Sequence, residues 1–116
     1  MRHFKFLRSK QEPFPLHDEF NVYENMAVGL VSWCQRMNLN PIGYQHQFDE
    51  SDSRVGPGHI TRNLVINDIQ RIENFLGLGR RVNIVYEIYD PNGYTPYSFH
   101  IAEDVFDNIM RRYENL

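Results

Sequence analysis

The chain has 116 residues, 41% of them apolar, with eight Phe, seven Tyr and one Trp. That is material for a single domain around one core, and it leaves little room for a second. The net charge of −3 hides an asymmetry: residues 1–10 carry Arg2, Lys5, Arg8 and Lys10 without an acid, a local +4 that leaves −7 on the rest of the chain. A body of that sign argues against a broad nucleic-acid surface, which is normally basic. No run approaches the ~18 to 20 apolar residues of a membrane span. No apolar h-region follows Arg2 and Lys5, so no secretory signal is expected. Cys34 is the single cysteine, which excludes an internal disulfide and a cysteine-built zinc site and points to a reducing, cytoplasmic setting.

In chain order, HFKFL alternates, with His3, Lys5 and Leu7 on one strand face and Phe4 and Phe6 on the other. A short edge strand is expected there. Pro13 and Pro15 favour an extended connector after it, so residues 1–20 read as a basic, aromatic arm on a 1–116 domain. The stretch VYENMAVGLVSWCQRMNLN is a helix, with Val22, Met26, Leu30, Trp33 and Met37 at helical spacing and Tyr23, Ala27, Val31 and Cys34 widening the stripe. Asn21 and Glu24 resemble a capping box, while Asn38 and Pro41 supply the stop.

PIGYQHQF then alternates, placing Ile42, Tyr44, His46 and Phe48 on one side. A polar turn around Gly56 and Gly58 leads into a second strand, HITRNLVI. The spacing of Ile69, Ile72, Phe75 and Leu76 predicts a short helix from Asn67 to Gly77, capped by Asn67 and Gln70 and ended by Gly77. Two alternating strands flank Asn92-Gly93, a favoured pair for a type I′ turn. With those as central turn residues, Ile88 faces Tyr97, Tyr86 faces Phe99 and Ile84 faces Ile101. In that register Glu87 and His100 are diagonal neighbours on the other face. A last helix carries Val105, Phe106, Ile109, Met110 and Tyr113 inward, with Glu103 and Asp104 at its positive end and Arg111 and Arg112 at its negative end.

The order β-α-β-β-α-β-β-α implies an α+β fold: a small antiparallel sheet of four to five strands with two to three helices on one face. Within FDESDSRVGPGHITRN, an EF-hand loop starting at Asp49 would need Gly at its sixth position and Glu at its twelfth. Arg54 and Ile60 stand there instead. A phosphate loop needs a lysine and a following helix, and VGPGHITRN offers neither. What remains is a metal alternative in which His46, Asp49, Asp52 and His59 converge across a hairpin as ligands of a small hydrolase. GLGRR leaves a helix and enters a strand, the reverse of a dinucleotide fingerprint, so Arg80 and Arg81 are kept only as an anion-binding pair. Cys34 lies on an apolar helix face with no visible base, and no G-x-S-x-G elbow exists.

The aromatic surplus carries the preferred reading. Phe4, Phe6 and Phe14 in the arm, with Tyr89, Tyr94 and Tyr97 around the hairpin tip, are residue types enriched at protein interfaces. A non-enzymatic protein-binding module is therefore expected: an accessory, inhibitor or assembly subunit of the kind that viruses and mobile elements encode, self-associating or bound to another protein, with no cofactor. The alternative is nucleic-acid binding, with Arg2, Lys5, Arg8 and Lys10 on phosphates and Phe4 and Phe6 stacked on bases.

Overall fold

The computed structural model describes residues 5–7, 17–51 and 58–114. Helix α1 (Val22–Arg36) opens with the reciprocal cap expected from sequence. The Glu24 N–H donates to Asn21 Oδ1 at 2.8 Å, and the Asn21 N–H donates to Glu24 Oε1 at 3.0 Å. Asn38 ends the helix in the left-handed region, at φ 59°, a conformation that asparagine tolerates better than most residues. The buried face centres on Ala27, Leu30, Val31 and Cys34. Val22 and Met37, at the two ends of the expected stripe, are exposed.

The sheet is four antiparallel strands: β2 (Tyr44–Ser51), β3 (His59–Ile72), β4 (Arg81–Asp90) and β5 (Gly93–Ala102) in spatial sequence. A three-residue segment, β1 (Lys5–Leu7), runs beside β2 in parallel, so the antiparallel pattern stops there. Helix α2 (Glu103–Glu114) follows β5 directly and contributes Phe106, Ile109 and Met110 to the same core as α1. Against them the sheet turns Leu64 and Ile66 of β3, Val82, Ile84, Tyr86 and Ile88 of β4, and Ile101 of β5. Both helices thus cover one face, as the amphipathic patterns require. The Tyr113 side chain lies outside those described.

The helix expected from Asn67 to Gly77 does not form. β3 runs on to Ile72 with a bulge at Asn67, so Ile66 faces Tyr86 and Ile69 faces Ile84. A bulge inserts one extra residue and shifts the side-chain parity. Past it Ile69 faces the core and Ile72, opposite Arg81, faces outward, so their three-residue spacing marks no helical stripe. Beyond the strand, Leu76 is 85% exposed at φ 52° and Leu78 is also exposed. Phe75 packs its ring on His100 instead of entering the core.

The hairpin register also differs from expectation. Asp90 pairs with Gly93, which makes Pro91 and Asn92 the loop residues, and Tyr86 faces Tyr97 while Ile84 faces Phe99. Proline at the first loop position has its φ preset for the turn, and the Asn92 N–H donates to Asp90 Oδ1 at 2.8 Å. The shift is two residues, so every side chain keeps its face. It does separate Glu87, now opposite Pro96, from His100, now opposite Asn83.

Candidate protein-binding surface

The hairpin end of the sheet carries aromatics on both faces. On the helix side, Tyr86 and Tyr97 stack with centroids 5.2 Å apart, and Tyr23 of α1 sets its ring edge-on to Tyr97 at 5.7 Å. On the outer side Tyr89 faces Tyr94 at 5.3 Å. Tyr94 is 59% exposed and Tyr97 37%. Tyr89 donates from its hydroxyl to Glu87 Oε1 at 2.8 Å, holding a carboxylate that the outer face buries.

Beneath these rings lies a polar clamp. Arg62 occupies a helix-facing position of β3 and is 8% exposed. Its Nε lies 3.2 Å from Glu50 Oε1 on β2, and one terminal nitrogen lies 3.5 Å from Asp90 Oδ2 on β4. The Tyr23 hydroxyl donates to the same Glu50 oxygen at 2.8 Å. Burial first, then the Glu50 hydrogen bond and charge, push the Tyr23 phenol up to about 12. It therefore stays protonated and acts as a donor at neutral pH. The four residues tie three strands and α1 together under the hairpin.

Among the described strands, β5 forms one margin of the sheet. The Glu103 N–H donates to the Arg80 carbonyl at 3.1 Å, which sets the phase of the ladder. Hydrogen-bonded pairs recur at every second residue of an antiparallel ladder. Tyr97, Phe99 and Ile101 thus direct their backbone groups to β4, while Tyr94, Pro96, Ser98, His100 and Ala102 direct theirs to the side on which no described strand lies. Proline on an edge presents no donor there. GYTPYSFHIA contains no Lys, Arg, Asp or Glu, the charges that commonly blunt such an edge. Alongside Ser98–Ala102 runs an open cleft of about 410 Å³, with Glu19, Phe20 and Glu24 on its helix side and Arg81 and His100 in its lining.

Of the interface residues read from sequence, Tyr89, Tyr94 and Tyr97 do gather at one end of the sheet. Phe4 and Phe14 lie outside the described residues, and Phe6 is described only as backbone in β1. Arg2, Arg8 and Lys10 likewise lie outside them, and Lys5 belongs to β1.

Of the four suggested metal ligands, the three described, His46, Asp49 and His59, do not share one face. His46 stands opposite Leu64 on the helix-facing side and stacks on Phe48, where burial lowers its pKa. Asp49 and His59 occupy outer positions opposite Thr61 and Ser51, and Asp49 accepts from the Thr61 hydroxyl at 2.8 Å. Asp52 lies outside the described residues. Among those described, no group of three or more His, Cys, Asp or Glu could hold a metal ion. Arg80 and Arg81 also part company. Arg80 bonds Glu103 at 2.8 Å and nears Glu73 at 3.6 Å, whereas Arg81 alternates with buried Val82 onto the other face. Cys34 is fully buried, and burial alone pushes its thiol up to about 11.

Sequence reasoning passed over the clamp. Its signal was present in H-I-T-R-N-L-V-I, where Arg62 shares the parity of Ile60, Leu64 and Ile66. A charge at a core position of a strand calls for buried partners. Comparison of the chain with protein-family models, curated proteins and solved structures finds no match. Among the described residues, no helix is long and apolar enough to cross a membrane.

Proposed function

We propose that this chain is a non-catalytic protein-binding module, serving as an accessory, inhibitor or assembly subunit. The observation that carries this reading is the β4–β5 hairpin. It ends in the exposed Tyr94 and Tyr97 and leads into an uncharged open edge. Tyrosines supply large, amphipathic contact area and dominate many interface hot spots. A reducing, cytoplasmic setting is part of the reading, since the single thiol is free and buried. The clamp under the hairpin would serve by holding the tyrosines in place before a partner arrives, which lowers the ordering cost of binding.

The test uses the purified chain immobilised as bait in extract of the encoding cells, with quantitative mass spectrometry as readout. Tyr94→Ala is the diagnostic variant, because Tyr94 projects outward and its removal spares the core. A specific partner should be retained at least tenfold less by Tyr94→Ala than by the parent chain. Equal retention by the two proteins would contradict the reading.

A further inference from the structure

Accepting that reading, we propose that the open edge of β5 binds an extended peptide segment by strand addition, and that the segment carries basic and acidic residues at adjacent positions. Three observations meet at Ser98–Ala102. First, the ladder phase points the N–H and C=O groups of Ser98, His100 and Ala102 outward. Strand addition draws its affinity from main-chain groups of this kind and its specificity from pockets for alternate side chains. Second, the cleft beside that edge is lined by these residues and not by Pro96. Third, the cleft is charged oppositely on its two sides.

Glu19 and Glu24 approach from the helix side, where Phe20 meets Phe99 edge-on at 5.9 Å. Glu24 uses one carboxylate oxygen on the Asn21 N–H, and its charge remains. His100 and Arg81 belong to the outer side by alternation with Phe99, Ile101 and Val82. Arg81 Nε is buried with no hydrogen-bond acceptor among the described residues. An added strand points successive side chains to opposite faces. The residue entering the helix side meets two carboxylates and a phenyl ring, and its neighbour meets a guanidinium and an imidazole. Basic or apolar residues fit the first set of positions, and acidic residues fit the second.

This pattern sets the partner apart from two nearer occupants. A second copy pairing β5 to β5 supplies no charge to either side, because GYTPYSFHIA has none. The basic segment of residues 1–10 supplies no acid, and its Lys5–Leu7 lies beside β2 at the far side of the sheet.

The probe is a fluorescein-labelled heptapeptide, TKDVDKT, which places two Lys and a Val on one face and two Asp on the other. Its control, TKKVDDT, has the same composition but mixed signs on each face in every register. A simple exchange of Lys and Asp would be no control, since a one-residue slip inverts the faces. Anisotropy should show TKDVDKT binding at least tenfold tighter than TKKVDDT. Amide shifts in 15N spectra should move at Ser98, His100 and Ala102.

Ser98→Pro removes one outward N–H without touching the ladder, as Pro96 already does, and should abolish binding. Exposed Glu19→Lys should weaken it severalfold, and it decides the matter alone if Ser98→Pro does not fold. Equal affinity for the two peptides, or none up to millimolar concentration, overturns the proposal. So does a dimer in sedimentation equilibrium that Ser98→Pro dissociates, since the occupant is then a second copy. If Tyr94→Ala abolishes partner capture while Ser98→Pro and Glu19→Lys leave it intact, strand addition falls and the protein-binding reading stands.

Discussion

Replacing Arg62 by Met keeps most of the side-chain volume and removes the cation between Glu50 and Asp90. The Arg62 side chain is 10% exposed, whereas those of Glu50 and Asp90 keep 33% and 24% of their surface in contact with water. Removing one member of a fully buried pair costs about 3–5 kcal/mol, mostly because an uncompensated charge stays behind. Here the two carboxylates can partly rehydrate, which brings the expected loss to about 2–3 kcal/mol. For a chain of this size that is a fall in Tm of roughly 8–12 °C. Urea denaturation at neutral pH should show a lower midpoint with an unchanged slope. Arg62→Met combined with Glu50→Gln and Asp90→Asn should recover most of the loss, since the stranded charges are then gone. A loss below about 0.5 kcal/mol for the single variant, typical of a surface substitution, would refute the assignment of Arg62 as a buried clamp.

Two titrations and one reactivity follow from the burial of single groups. The Tyr23 phenol is raised to about 12 in the folded protein, above the ordinary value of 10, so its contribution to stability is complete below pH 10 and lost as pH rises toward 12. Tyr23→Phe should flatten the fall in Tm across that window. The His46 imidazole is lowered by burial from its ordinary 6.5, so its contribution is present above that value and lost as pH falls below it. His46→Phe should make the protein less sensitive to pH on the acid side of 6.5, read as urea midpoints. Cys34, raised to about 11, should resist iodoacetamide at pH 8 in the native protein and react promptly in 6 M guanidinium, as judged by intact mass.

The helices and the hairpin were legible because their signals are local. Asn21 and Glu24 announce a cap whatever surrounds them, and the alternation across β4 and β5 survives a two-residue error in register because parity is preserved. The misread helix at 67–77 had a non-local cause. A bulge at Asn67 is settled by pairing with β4, and past it Ile69 faces Ile84 on the core side while Ile72, opposite Arg81, faces outward, so the helical spacing of Ile69, Ile72 and Phe75 marks no common face. The turn shift came from weighting Asn92-Gly93 above Pro91, whose preset φ takes the first loop position. In the histidine and aspartate cluster, strand parity sends His46 and His59 to opposite sides, because proximity in a hairpin does not put residues on one face. The clamp could have been found by asking what neutralises Arg62 at an apolar parity. Its partners, on two different strands and a helix, could not be named before the pairing was known.

A strand that offers its edge to a partner must have that edge open in the free protein. Residue-resolved amide hydrogen exchange along β5 measures this directly. The ladder phase predicts an alternating pattern, with Tyr97, Phe99 and Ile101 protected by β4, and Ser98, His100 and Ala102 exchanging at rates near those of an unprotected chain. Added TKDVDKT should slow the second set and leave the first unchanged. Uniform protection of Ser98, His100 and Ala102 in the isolated protein would mean that the edge is already covered, and it would contradict the account.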